Sequence, residues 1–170
     1  MCACRGTAGF AHVSCLAEQA KILVAEAEEN NLGNQVFNAR FQRWAICSLC
    51  EQHYHGVVRC ALGWACWKTY LGRPETDPFR SNATTQLGNG LLIADHLEDA
   101  LSVQEAELSM ARRLRDSASN ILHVQANLAI TYDQLGRLDS ALEMKRDVYS
   151  GSLKFYGAQH RRSFLSLIHI

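Results

Sequence analysis

Between Cys15 and about Glu29 the apolar residues Leu16, Ala20, Leu23, Val24 and Ala27 recur at intervals of three and four, the spacing of one helix face. Asn30-Asn31-Leu32-Gly33 ends this run, and Gly33 is expected to take the left-handed conformation that closes many helices. Glu26, Glu28 and Glu29 crowd the helix end at which the dipole disfavours negative charge, so the last turn is expected to fray. A polar stretch follows to Trp44. CSLCEQHYHG (47–56) then suits a turn better than a regular element. Val57 to Leu71 reads as a second helix, closed by Gly72 with Pro74 just beyond.

Downstream of Pro74 the pattern repeats. LGNGLLIADHLEDALSVQEAEL (87–108) aligns with LAITYDQLGRLDSALEMKRDVY (128–149) at a constant offset, pairing Leu87 with Leu128, Gly88 with Ala129, Leu97 with Leu138, Ala100 with Ala141 and Leu101 with Leu142. Each copy predicts helix, short turn, helix, with Gly136 making the turn in the later one. The small residues at 88, 129, 100 and 141 let helices approach. A period in this range points to a helical solenoid; a single duplicated helix pair is the plainer alternative. Two units and a third opening helix are few for stacked repeats. The apolar end FLSLIHI (164–170) has no polar cap, so the array is expected to continue.

Charge changes the picture by exclusion. Lys plus Arg and Asp plus Glu both total 17, so the chain has no net charge to support broad contact with nucleic acid or anionic lipid. Arg5, His12 and Glu18 interrupt any secretory signal, and VVRCALGWACW (57–67) is too short to span a bilayer. A soluble cytoplasmic protein is expected. In that compartment an odd count of seven cysteines favours metal ligation over disulfides.

All seven cysteines and all three tryptophans lie upstream of Gly72, which divides the chain into a cysteine-bearing segment, 1–72, and a repeat segment, 80–170. The cysteine pattern opens with Cys2-x-Cys4, continues with His12-x2-Cys15 and closes, after a long gap, with Cys47-x2-Cys50. Zinc takes thiolate and imidazole ligands tetrahedrally, and a C-x2-C turn aims two sulfurs at one ion. Binding it is worth on the order of 10 kcal/mol, enough to fold a segment with little core. Cys60 and Cys66, inside an apolar helix, read as small hydrophobes. His53 and His55 are weaker ligand candidates. His12 with Cys15 as base and nucleophile lacks an orienting third group. Trp44, Trp64 and Trp67 read either as a binding surface or, the expected duty, as rings stacked against the knuckles and the adjoining repeats.

Two resemblances follow from these residues. NLAITYDQLGRLDSALEM resembles the tetratricopeptide repeat, in its longer kinesin-light-chain form, through Asn127, Leu128, Ala129, Tyr132, Gly136, Arg137, Ala141 and Leu142; YGAQH (156–160) looks like its inter-repeat loop. CACRGTAGFAHVSCL and RWAICSLCEQHYHG resemble the middle and closing segments of a RING-CH finger. That resemblance implies one zinc site of Cys2, Cys4, Cys47 and Cys50. It implies a second of His12 and Cys15 with two cysteines that would lie upstream of Met1. The implied fold is mostly α, a small zinc-stabilised RING-like segment followed by an α-α solenoid. The implied function is a protein-interaction module whose repeats bind peptide along first helices, through Gly88, Asn89, Asn127 and Thr131. The enzymatic alternative is a ubiquitin ligase that recruits a conjugating enzyme without covalent chemistry of its own, the repeats choosing substrate. A redox protein is the third class.

Overall fold

The computed structural model describes residues 11–157 and residue 160. These residues are mostly helical: α1 (Val13–Glu29), α2 (Asn34–Phe41) running into a 3-10 turn (Gln42–Trp44), α3 (Gly56–Tyr70), α4 (Pro78–Ile93), α5 (Leu97–Arg113), α6 (Ala118–Gln134) and α7 (Leu138–Tyr156). Among them the only pairing of extended chain is an isolated antiparallel bridge, Ile46 with His53. No described helix is long and apolar enough to cross a membrane. The apolar end FLSLIHI lies outside the described residues. The chain divides into two compact units, Met1–His96 and Leu97–Ile170. The composition shift at Gly72–Pro74 therefore falls inside the first unit, because α4 packs on α3.

In the first unit the core gathers Ala20 and Val24 of α1, Phe41 of α2, Trp44, Cys66 and Tyr70 of α3 and Ala83 of α4, with Phe37 and Phe79 against it. The aromatic side chains interlock: Phe37 meets Phe79 edge-on at 4.7 Å, and Tyr70 stacks on Phe79 at 5.6 Å. Such pairs add to plain area burial. Periodicity does not mark α2, because only Phe37 and Phe41 of its residues pack inward on this core.

Two expectations about the end of α1 are corrected. Gly33 has φ −57° and precedes α2; the left-handed residue is Asn31, at φ 48°. Its N–H donates to the Glu28 carbonyl and that of Leu32 to the Ala27 carbonyl, a Schellman closure. The acidic last turn stays helical because arginines neutralise it. Arg40 pairs with Glu26 at 3.0 Å, and Arg73 grips Glu28 with two nitrogens at 2.7 and 2.9 Å.

Arg73 also reaches Asp77 at 3.4 Å and lies over the Phe79 ring at 4.4 Å, while its carbonyl accepts from Arg80. Asp77 in turn caps α4 by accepting from the Phe79 N–H at 2.7 Å, with Pro78 at the first helical position. Beyond this loop, α3 and α4 come into backbone contact at two glycines. A Cβ on Gly63 would lie 2.8 Å from the Gln86 carbonyl oxygen, and one on Gly90 would lie 2.9 Å from that of Arg59. Gly88, on the same helix as Gly90, is buried.

In the second unit α5, α6 and α7 pack as successive neighbours. Leu101 and Leu108 of α5 meet Val124 and Leu128 of α6, with Ile121, Tyr132, Leu135 and Met144 against them. The offset of the sequence repeat reappears in the helix ends: α5 begins at Leu97 and α7 at Leu138, α4 ends at Ile93 and α6 at Gln134. Ala100 and Ala141 are both buried, as their small size implies. The turns match as well. Asp95 and Gly136, equivalent positions of the repeat, are both left-handed, at φ 65° and 71°. In each turn this residue and the next donate back to the preceding helix with the bonding seen at Asn31.

Arg115, after α5, holds the same conformation at φ 52°. An arginine there carries Cβ strain that glycine does not. Arg115→Gly is therefore expected to raise stability by about 1 kcal/mol, and Gly136→Ala to lower it by a similar amount. Urea unfolding midpoints at unchanged m-value test both.

Candidate functional site

The closing cysteine pair lies on a short loop built by backbone bonds. The Cys47 N–H donates to the Gln52 carbonyl at 2.9 Å, the Glu51 N–H returns to the Cys47 carbonyl at 3.1 Å, and the Tyr54 N–H reaches Ala45 at 2.9 Å. Glu51 takes φ 56° to let the chain reverse. Inside the loop the Leu49 N–H points at Cys47 Sγ, 3.4 Å away. An amide aimed at sulfur favours negative charge there, the form in which a thiol binds metal. The donor set, two sulfurs on one reversed loop, fits half of a tetrahedral thiolate site.

Cys47 is buried with Tyr54 and Leu62, and Cys50 and Val58 pack at the edge of that cluster. Val13, Leu16 and Ala17 at the start of α1 join it. The start of α1 and the closing cysteine loop thus share one apolar cluster, although Cys15 and Cys47 are far apart in the sequence. His12 is the residue before α1, and its carbonyl accepts from the N–H groups of Cys15 and Leu16. The side chains of His12 and Cys15 are exposed. Cys2 and Cys4 lie outside the described residues. No group of three or more His, Cys, Asp or Glu among the described residues is placed to hold a metal ion. His53 and His55 are exposed, His53 within the bridge to Ile46 and His55 at the start of α3.

The buried stripe of α3 contains Arg59, Leu62, Gly63, Cys66 and Tyr70. Cys66 is fully buried, as a small hydrophobe should be, and burial pushes its thiol well above the ordinary range. Burial also raises the Tyr70 phenol to about 12. Arg59 is 3% exposed. Its Nη2 donates to Gln86 Oε1, while Nε and Nη1 have no partner among the described residues. Burial lowers it to about 10, which leaves it protonated at neutral pH.

The tryptophans separate. Trp44 is buried against Tyr70, edge-on at 6.2 Å, whereas Trp64 is 40% exposed and meets Trp67 edge-on at 5.7 Å. Trp44 thus belongs to the core of the first unit, and Trp64 lies outside it.

On α6 the four positions His123, Asn127, Ile130 and Gln134 fall at helical intervals on one face. His123 and Gln134 are exposed, Ile130 is 47% exposed and Asn127 is half-buried. Asn127 Nδ2 is buried without a partner among the described residues. Thr131, expected to line this face, is fully buried instead: its hydroxyl donates to Gln104 Oε1 at 2.6 Å, on α5. Asn89 of α4 is half-buried and Gly88 is buried.

Three features escape sequence reasoning: the bond from Arg43 into the cysteine loop, the glycine contact and the Arg73 clamp. Glycines interior to helical patterns are the available signal for the second, since an isolated helical glycine usually has a packing reason. Against known proteins, the chain matches no protein-family model and no curated sequence.

Proposed function

We propose that the chain is a protein-interaction module. In it a zinc-bound, RING-CH-like segment supports tetratricopeptide-type helix pairs that bind an extended peptide along α6. The observation that carries this reading is the recurrence of helix ends and left-handed turns in step with the sequence repeat, together with the row His123, Asn127, Ile130 and Gln134. That row joins an exposed aliphatic side chain to amide groups, a mixture suited to a peptide's side chains and its backbone carbonyls. The buried Asn127 donor adds a reason for its presence. A buried N–H without a partner costs about 1–3 kcal/mol, which an acceptor on the ligand would recover. For the metal, the support is the Cys47–Cys50 loop with its amide turned to sulfur; Cys2 and Cys4 would complete the ligand set.

Panning a peptide library on the full chain tests the binding half. Asn127→Leu is expected to abolish capture of the selected peptides while leaving the fold as stable or more stable. Capture unchanged by that substitution, or no peptide selected at all, overturns the assignment. Metal analysis of protein purified under reducing conditions tests the other half. One tightly held zinc per chain is expected; none overturns it. Chain formation with a panel of ubiquitin-conjugating enzymes would replace the scaffold by the ligase reading.

A further inference from the structure

Arg43 sits in the 3-10 turn immediately before the closing cysteine pair, half-buried, between Gln42 and the fully buried Trp44. Its Nη1 donates to the Cys47 carbonyl at 3.2 Å. That carbonyl also receives the Glu51 N–H, so the peptide group following Cys47 is held from two sides. This peptide begins the chain reversal that carries the Leu49 N–H back to Cys47 Sγ. Neither bond involves the sulfur. Together they fix the orientation of the backbone from which the sulfur and its amide donor project.

We infer that Arg43 is a positioning residue for the metal loop, holding Cys47 and Cys50 in their ligating arrangement before any metal arrives. The inference rests on the zinc reading above and names a residue that the cysteine spacing does not. Two physical effects act together. The guanidinium is a fixed, fork-shaped donor, so its bond to a carbonyl is charge-assisted and directional. It also places a permanent positive charge beside a thiolate site, whose ligands bring more negative charge than a divalent ion cancels. A loop without this tie would have to be ordered by the metal itself, at the expense of affinity. Trp44 makes the tie effective, since its burial fixes the turn from which Arg43 reaches forward.

Titration of the reduced full chain with Co2+, followed by Zn2+ competition, tests this. Co2+ bound by thiolates gives a charge-transfer absorption that reports the ligand set independently of any biological activity. Arg43→Ala is expected to weaken Co2+ and Zn2+ about 10-fold or more, the size typical of losing a group that orients a ligand. Its metal-free urea midpoint is expected to stay at the native value. Arg43→Lys is expected to recover most of the affinity. Arg40→Ala, which removes a comparable half-buried arginine bonded to the Leu23 carbonyl and Glu26, is expected to leave metal affinity unchanged. A native chain that binds Co2+ while Arg43→Ala binds it equally well overturns the role of Arg43 and leaves the metal reading standing. A native chain that binds neither ion overturns both.

Discussion

Gly63→Leu is expected to destabilise the chain by about 3 kcal/mol or more, and Gly90→Leu by a similar amount. At Gly63 the first added carbon would meet the Gln86 carbonyl oxygen at 2.8 Å and the Leu87 Cα at 3.2 Å. At Gly90 it would meet the Arg59 carbonyl oxygen at 2.9 Å and the Cys60 Cα at 3.2 Å. All four are backbone atoms inside helices and have no rotamer through which to withdraw. The helices would have to separate, and the aromatic core beside them would open. Alanine is the milder test, because its helix propensity returns about 1 kcal/mol of the clash. Gly72→Ala is the control: nothing lies within 4 Å of its Cβ position, so a change within about 0.5 kcal/mol is expected. Equal unfolding midpoints for Gly63→Leu and the native chain would refute the contact.

The second large effect is expected at Trp44. Trp44→Ala should cost about 3–5 kcal/mol, the range for deleting a buried aromatic whose site cannot collapse. Trp44 is 1% exposed and lies against Tyr70, in the core that α1, α2, α3 and α4 share. Collapse is hindered because Phe41 and Phe79 already contact one another at 6.2 Å and Tyr70 at 5.9 and 5.6 Å. Trp44→Phe keeps part of the ring and should cost about half as much. Thermal unfolding, with tryptophan fluorescence of the remaining Trp64 and Trp67, measures both. A loss under about 1 kcal/mol for Trp44→Ala would show that the ring is not central to this core.

Why some of this was legible and some was not follows from particular residues. The runs through Leu16, Ala20, Leu23 and Val24 and through Ala100, Leu101 and Leu108 bury one face each, so their period is the structure. In α3 both sides are apolar: Leu62 and Cys66 on one, Val57 and Trp64 on the other. Periodicity cannot choose between two apolar faces, and the choice was made by Gly63, through its contact with a partner helix at Gln86. Left-handed turns were legible at Gly136 but not at Asn31, Asp95 or Arg115, because hydrogen bonding can hold a residue there that its side chain would not choose. Thr131 was misplaced because an isolated threonine in a helical run gives no sign that a glutamine from the preceding helix will seal it. The cysteine loop was marked by its spacing. Arg43 was not, since its partner is a carbonyl that every residue possesses.

The Arg73 clamp bears on how the chain should be cut. Gly72-Arg73-Pro74 has the composition of a linker, where a protease would be expected to enter. Here the same arginine is bonded to Glu28 and Asp77, lies over two rings and has its carbonyl engaged. A bond so fastened cannot extend into a protease cleft without first releasing the end of α1 and the cap of α4. A glutamate-specific protease, offered Glu75 in the same segment, should cut slowly there while the first unit is folded and readily once it is unfolded. A fragment ending at Gly72 would leave Phe37, Phe41 and Tyr70 without the Phe79 ring they contact. It should therefore precipitate, whereas one ending at His96 should remain in solution.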